Sequence, residues 1–514
     1  MSGVNVVATV IFVGFFLLVT VLGFWASRWK AGDLNKIDEW GLGGRRFGPW
    51  VSWFLLGGDI YTAYTIIAIP AAVYGLGAYG FFSVPLTVMV YPLMYLLMPR
   101  MWNVSARKGY VTAADFAYGR FGNRGLEVAV AVTSLIAVMP FIALQLVGME
   151  KVIFALGLTG EGYLSHLPII AAFLILALYT YSAGLRAPAV IAFVKDAMIY
   201  IFVLVAIIYI PYQLGGFGEM FAKAGATLDS KALANAALSP PGNVNIGLTL
   251  KAPQMMPFFT TIITSCLCLF LFPHSYTGIM AASGPKAIRF NTMMLPAYTF
   301  LLALIALLGI MGLAAGIAVK NPQEIVPQLF MKMFPDWFVG FAFSAVAIGA
   351  LVPAAVMSIG AANTFTRNLW RPLVAPNMTA SQETAVAKIV SLLVKVGALG
   401  IIIELNAAFA IDYYTLAGVV MVQIVPLVYF GLYTRRIHGT PLLIGWAVGL
   451  ALGIFLCYTP TGWAPTWMTP FGFRSYVGLV ALLLNVVLAV GLSFILPNKG
   501  ADQTKPEDYE DALA

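Results

Sequence analysis

The sequence predicts an all-α integral membrane protein with about 13 transmembrane helices. Three observations carry that prediction. Of 514 residues, 61% are hydrophobic and 10% charged, giving a mean hydropathy of +0.90, far outside the soluble globular range. Apolar runs of about 20 residues, the length of one bilayer crossing, recur along the chain. The basic residues fall in short connections between these runs, where they act as orientation signals. The net charge of +8 therefore does not point to nucleic acid, since no basic, aromatic-interleaved domain exists to bind it.

In order, the spans lie near 4–27, 49–80, 82–98, 126–156, 165–182, 187–211, 254–281, 290–318, 338–364, 382–404, 406–434, 440–458 and 475–496. The first run is too long for a signal-peptide core and is followed, not preceded, by basic residues (Arg28, Lys30). It reads as a retained anchor with the N-terminus outside. With that orientation Arg100, Arg107, Lys108, Arg120, Arg124, Arg186, Lys286, Arg289, Arg367, Arg371, Arg435 and Arg436 all fall in cytoplasmic connections. The positive-inside rule is then satisfied throughout, with the C-terminus inside. Residues 215–252 are too polar to span and are expected to form a short amphipathic cover outside. The tail 498–514 is charged and poor in large apolar groups, a composition that favours disorder.

Two spans are irregular. The second contains Gly57-Gly58-Asp59 and then Pro70. Paired glycines and a proline weaken the helical ladder, and a carboxylate at mid-depth costs about 3 kcal/mol on insertion scales. Such backbone is tolerated only where protein covers it or a wet cavity meets it. Five spans later, a run with Pro253, Pro257, Thr260, Thr261, Thr264 and Ser265 ends at Pro273-His274-Ser275. Paired discontinuous helices at corresponding positions of two halves point to an inverted-repeat transporter with its site at the midplane. Cys266, Cys268 and Cys457 lie within apolar runs and read as packing, as do the dispersed methionines. Trp463 and Trp467 suit an interfacial aromatic belt. His166 and His438 sit at span ends; His274, beside Pro273, is expected to cap or gate a cytoplasmic helix end, with a proton relay as the other role.

Several stretches carry a resemblance. They are Leu42-Gly43-Gly44-Arg45-Arg46-Phe47-Gly48, Thr112-Ala113-Ala114-Asp115-Phe116 with Arg120-Phe121-Gly122, Gln145-Leu146-Val147-Gly148, Ser182-Ala183-Gly184-Leu185-Arg186-Ala187, Pro273-His274 and Ala354-Ala355-Val356-Met357-Ser358. In this order and with this topology the chain resembles the solute:sodium symporter family. The stretches at 273–278 and 362–368 are most similar to its bacterial monocarboxylate permeases, which carry lactate, pyruvate, acetate, propionate and related acids. The resemblance implies a five-plus-five inverted-repeat (LeuT-like) core over 49–434. A leading helix and loop (1–48) precede it; two trailing helices (435–497) and the charged tail (498–514) follow. It also implies a multi-pass protein of a bacterial inner membrane.

Carried over residue by residue, the family's cation site corresponds to the carbonyls of Gly57 and Ile60, with Ala355 and Ser358 on the ninth span; these would be the metal ligands if the coupling ion were Na+. Two departures stand out. The second hydroxyl position is Ile359, and where the family places a carboxylate stands Ala192, one turn before Lys195. Registering the ninth span from Arg367 instead moves the site to Val352 and Pro353, which offer no hydroxyl either. An ammonium at Lys195 supplies the charge that sodium would, and a buried lysine can release its proton. The coupling ion is therefore expected to be H+, with Na+ as the alternative and local pairing of Lys195 with Asp196 as its structural role. Uncoupled exchange is a further alternative.

For a monocarboxylate, free backbone N–H groups where a half-helix begins would receive the anion. Asp59, Tyr61, Thr62, Thr65 and Gln145 are the substrate candidates, with Tyr64 beside them; Asp59, while ionised, would organise the cation or balance Lys195. No cofactor beyond the coupling ion is expected. The expected partners are a small anionic solute and the lipid bilayer, with no nucleic acid and no obligate protein partner. An enzyme is not expected, because Asp59, Glu150, Asp196 and Asp412 are scattered without catalytic spacing. A transporter-like sensor would carry a signalling domain, and the tail is too short for one.

Overall fold

The computed structural model describes residues 4–29, 32–158, 167–238, 243–404, 410–460 and 462–511. Nearly all of it is helix. The leading α1 (Val6–Trp25) is followed by a short loop helix, α2 (Ile37–Leu42). The irregular second span divides into α3 (Pro49–Ile60) and α4 (Ala63–Leu76), and a 3-10 turn at Gly77–Phe82 leads into α5 (Ser83–Lys108). Then come α6 (Ala113–Phe121), α7 (Arg124–Ala155), α8 (Leu167–Ala183), α9 (Arg186–Gln213) and the polar cover α10 (Phe217–Ala236). The second half holds α11 (Ala252–Cys268), α12 (Pro273–Met280), α13 (Pro285–Met294), α14 (Pro296–Ala314), α15 (Ile325–Met333) and α16 (Asp336–Phe365). A π-turn and the single turn α17 (Arg371–Leu373) lead to α18 (Ala380–Glu404), α19 (Ala410–Met421) and α20 (Val425–Tyr433). The trailing pair, α21 (Gly439–Cys457) and α22 (Val477–Ser493), is joined by two small antiparallel hairpins that carry Trp463 and Trp467.

Nine helical stretches among the described residues are long and apolar enough to cross a membrane, and two shorter apolar helices, α8 and α22, accompany them. The sequence count of about 13 spans differs for two reasons: α18 (Ala380–Glu404) is not among the nine, and the second and third expected spans are divided differently. α3 is too short to be counted alone, and α4 to α5 forms one stretch of 46 residues despite its 3-10 bend.

Both breaks follow from local chemistry. After Gly57-Gly58 the backbone extends at Tyr61 (φ −92°, ψ 90°), and Thr62 restarts the helix as an N-cap whose hydroxyl accepts from the Thr65 N–H. In the other span a 3-10 turn ends at Phe272 (ψ 142°), the extended conformation that a following proline imposes, and Pro273 opens α12 at its first position. Against both breaks lies α16, the most buried span, with 94% of its apolar window inside the protein. Its small residues permit close approach. A Cβ at Gly349 would stand 3.6 Å from the Ala63 nitrogen, and one at Gly360 would stand 2.7 Å from the Pro273 carbonyl oxygen. On the reverse side Gly340 lies against Ala8 of α1, so the leading helix packs on α16 rather than standing apart.

α10 is the expected amphipathic cover: Met220, Ala224 and Leu228, four residues apart, form its buried stripe over α14. The tail departs from the expected disorder. Residues 498–511 lie across the end of the molecule that carries the basic loops. Asp502 pairs with Arg120 (2.9 Å) and Arg435 (3.5 Å), Asp508 with Lys108 (3.1 Å), and Asp511 with Arg289 (2.7 Å). The Gln503 N–H donates to Gly119, and Tyr509 is buried with its hydroxyl on Thr504. The composition that suggested a solvated tail instead supplies carboxylates to helix ends that are rich in guanidinium and ammonium groups.

Candidate functional site

A small cavity of about 90 Å³ lies between the two breaks. From α3 and α4 it receives Asp59, Thr62, Tyr64 and Thr65; from α7, Phe141 and Gln145; from α12, His274 and Ser275; and from α19, Tyr414. Polar groups here are unusually underused. Asp59 Oδ1, the Tyr64 hydroxyl, Ser83 Oγ, Gln145 Oε1 and His274 Nδ1 are all buried without a hydrogen-bond partner among the described residues. Buried polar atoms are rarely left so, and five around one space suit a polar occupant. Two half-helices begin at its edge, α4 at Ala63 and α12 at Pro273. Apart from the Thr65 N–H, which the Thr62 hydroxyl caps, their first-turn N–H groups have no intrahelical acceptor, and both positive dipole ends favour an anion.

Of the sequence candidates, Asp59, Thr62, Thr65 and Gln145 line this cavity. Tyr61 does not. It is fully buried on the other side of the break, its ring stacked on Tyr298 of α14 at 4.9 Å, because the extended residue projects away from its neighbours. His274 also departs from expectation. It does not cap or gate a helix end at the basic face; it occupies the second position of α12 inside the cavity, with Nε2 3.7 Å from Asp59 Oδ2. Pro273 begins a half-helix where the sequence suggested the close of a span.

Behind the break stands Lys195 of α9, with no solvent exposure. Its ammonium donates to the carbonyls of Gly58 (2.6 Å) and Tyr61 (2.9 Å) and lies 3.0 Å from Asp196 Oδ1. Two of its three protons thus go to backbone carbonyls, and the Asp196 carboxylate stands beside it as an ion-pair partner. The pairing with Asp196 and the contact with the break occur together. Asp196 Oδ2 accepts in turn from the Tyr298 hydroxyl (2.7 Å). The paired glycines are explained by this packing: a Cβ at Gly57 would lie 2.1 Å from the Tyr298 ring, and one at Gly58 would lie 2.9 Å from the lysine nitrogen. Ala192 faces Gly58 beside Lys195.

The carbonyls that meet the Lys195 ammonium, Gly58 and Tyr61, are each one residue beyond Gly57 and Ile60. Gly57 O accepts from the Tyr61 N–H (3.0 Å), and Ile60 O from the Thr65 hydroxyl (2.7 Å). On α16 the expected Ala355 and Ser358 turn elsewhere. Ser358 donates to Ala355 O (2.8 Å) and accepts from Ser391 of α18 (3.2 Å), which is held by the buried Lys395 (2.8 Å). Gly349 of α16, a turn from Val352 and Pro353, meets the start of α4 at Ala63, and Met357 lines the cavity with Asp59 and Ile60. Sequence reasoning missed Tyr298, Tyr414 and Lys395; for Lys395 the signal was available, as a lysine in the middle of an apolar run.

Comparison with known proteins gives a consistent result. The profile of the Sodium:solute symporter family matches residues 40–449. A "Monocarboxylate transport permease protein" of Rhizobium johnstonii is 52% identical over 97% of this chain and 99% of its own length. "Uncharacterized symporter YodF" of Bacillus subtilis is 31% identical over 97% of this chain and 95% of its own. Among solved structures, a Na+-coupled sialic acid symporter in a substrate-bound outward-open state superposes with a TM-score of 0.74 at 14% identity, covering 96% of this chain and 98% of that one. Mhp1, a nucleobase-cation-symport-1 family transporter in a closed conformation, gives 0.54 at 13% identity, covering 94% and 100%. At these identities the two structures share the fold.

Proposed function

Because the chain belongs to the sodium:solute symporter family, we propose that it takes up short monocarboxylates of the lactate, pyruvate, acetate and propionate class across a bacterial inner membrane, coupled to H+. The observation that carries the coupling is the Lys195 ammonium on the Gly58 and Tyr61 carbonyls. Backbone carbonyls at the break of this helix need a positive charge, and here the protein provides one covalently. A solute carboxylate is received on the cavity side by the free N–H groups of α4 and α12 while the protonated lysine holds the carbonyl side. On loss of its proton to the cytoplasm, Lys195 keeps two N–H donors but loses its charge, weakening its hold on Gly58, Tyr61 and Asp196 together. The broken helix is then freed to rearrange, and alternating access follows as a shift between two states whose balance the proton and the solute both set. The 52% identical relative named as a monocarboxylate permease supports the solute class.

Sodium coupling within the same family is the second reading, favoured by the family's own description. It requires Lys195 to leave the carbonyls it now occupies. Proteoliposomes that take up labelled lactate or pyruvate under separately imposed sodium and pH gradients decide between the two. Accumulation driven by pH alone and abolished by Lys195→Ala is expected; accumulation driven by sodium alone and untouched by Lys195→Ala would overturn the proton reading.

A further inference from the structure

The proposed mechanism leaves two titratable side chains in the solute cavity unused, Asp59 and His274. They approach from different half-helices to 3.7 Å, within ion-pair range. The same carboxylate oxygen of Asp59 accepts from the Ser275 hydroxyl at 3.0 Å. Both residues are at least nine-tenths buried, and each has one polar atom without a partner among the described residues, Asp59 Oδ1 and His274 Nδ1. The pair therefore has two open valences in a cavity whose other polar lining is neutral: Thr62, Tyr64 and Thr65 of α4, Ser83 and Thr87 of α5, Gln145 of α7, Ser275 of α12 and Tyr414 of α19. Lys195 approaches the same break from α9 but is committed to Gly58, Tyr61 and Asp196.

An anionic solute entering this space would meet the Asp59 carboxylate, and like charges in a dry site repel strongly. The conflict disappears when one proton enters with the anion and resides on the imidazole. We propose that His274 and Asp59 form a proton-holding pair in the solute cavity, in which imidazolium His274, balanced by Asp59, donates to the carboxylate of the solute. This rests on the solute being a carboxylate, as proposed above, and it adds a proton site separate from Lys195. The balance is simple. One proton from the outer solution binds the imidazole, one carboxylate binds the imidazolium through Nδ1–H, and both leave on the other side. Ser275 keeps Asp59 oriented toward His274 in either protonation state.

The first test needs no solute. The full chain carries three histidines; with His166→Gln and His438→Gln in place, the carbethoxylation rate of His274 is followed by mass spectrometry against pH. Diethyl pyrocarbonate attacks the neutral imidazole, so the rate traces a titration. Asp59→Asn is expected to move its midpoint by about one pH unit or more, and Asp59→Glu to restore it. A midpoint indifferent to both substitutions would overturn the pair. The second test measures lactate and acetate uptake in proteoliposomes. His274→Gln is expected to raise KM about tenfold or more, the worth of a charge-assisted hydrogen bond, to lower the maximal rate by less, and to flatten the dependence of KM on pH. An unchanged KM and pH profile in His274→Gln that elutes and melts like the parent would also overturn it. Absence of lactate and acetate uptake by the parent, with the midpoint still moved by Asp59→Asn, would end the monocarboxylate reading and leave the proton pair standing.

Discussion

Gly58→Ala isolates the contact between the broken helix and Lys195. In an ordinary helix this change stabilises, by about 0.5–1 kcal/mol, because alanine loses less backbone freedom than glycine. Here the new Cβ would stand 2.9 Å from the lysine nitrogen and 3.4 Å from its Cε. The ammonium must retreat from a bond of 2.6 Å to the Gly58 carbonyl, and a hydrogen bond from a charged group is worth about 1.5–3 kcal/mol. The loss exceeds the gain, so a net destabilisation of about 0.5–2.5 kcal/mol is expected. The assay is a double-mutant cycle on thermal unfolding in detergent, combining Gly58→Ala with Lys195→Ala. Without the lysine side chain the steric cost vanishes, and Gly58→Ala should change sign and stabilise. A penalty of equal size in both backgrounds would refute the reasoning, since it would place the strain in the backbone rather than at the ammonium.

Tyr298→Phe removes the donor to Asp196 Oδ2 while keeping the ring that packs on Gly57. It should cost about 1–3 kcal/mol in thermal stability, the penalty for a buried acceptor left unsatisfied. Glu39, in the loop helix α2, is partly buried, which by itself pushes its carboxyl up, but the Arg186 and Arg46 guanidiniums hold it below the usual carboxylate range. Its contribution is therefore complete above the unfolded value of about 4.3 and is lost as pH falls through the lower folded value. Denaturation curves of parent and Glu39→Gln should differ by a constant amount at neutral pH and converge in acid. Asp502→Asn, which strips Arg120 and Arg435 of their shared carboxylate, should lower the melting temperature. That difference should shrink at high salt, since partly exposed pairs are screened.

The costly features of the site were the legible ones. Gly57-Gly58-Asp59, Pro273 and Lys195 violate what a lipid-facing helix tolerates, so each stood out in the sequence, and the structure gathers them within one region. What the residues could not announce was register and direction. Carbonyls look alike at every position, so no side chain singled out Gly58 and Tyr61, rather than Gly57 and Ile60, as the acceptors of the Lys195 ammonium. The side to which Tyr61 turns depends on a backbone angle at the break that no neighbouring residue encodes. His274 was misplaced because a proline marks a helix start as readily as an end. The tail was misjudged by composition, because its partners Arg120, Arg289 and Lys108 lie hundreds of residues away.

The glycines of α16 have a mechanical meaning. Gly349 and Gly360 are eleven residues apart, three turns of helix, which puts them on one face about 16.5 Å apart along the axis. One supports the start of α4 and the other the start of α12, while Gly340, nine residues from Gly349 and half a turn out of phase, holds α1 on the opposite face. At these two points each half-helix therefore meets glycine rather than a side chain of α16. A half-helix that tilts at those points has no α16 side chain to lift over there. A methyl group at Gly360 would stand 2.7 Å from the Pro273 carbonyl oxygen and act as a pin in a bearing, whereas one at Gly349 would sit at ordinary contact distance from Ala63.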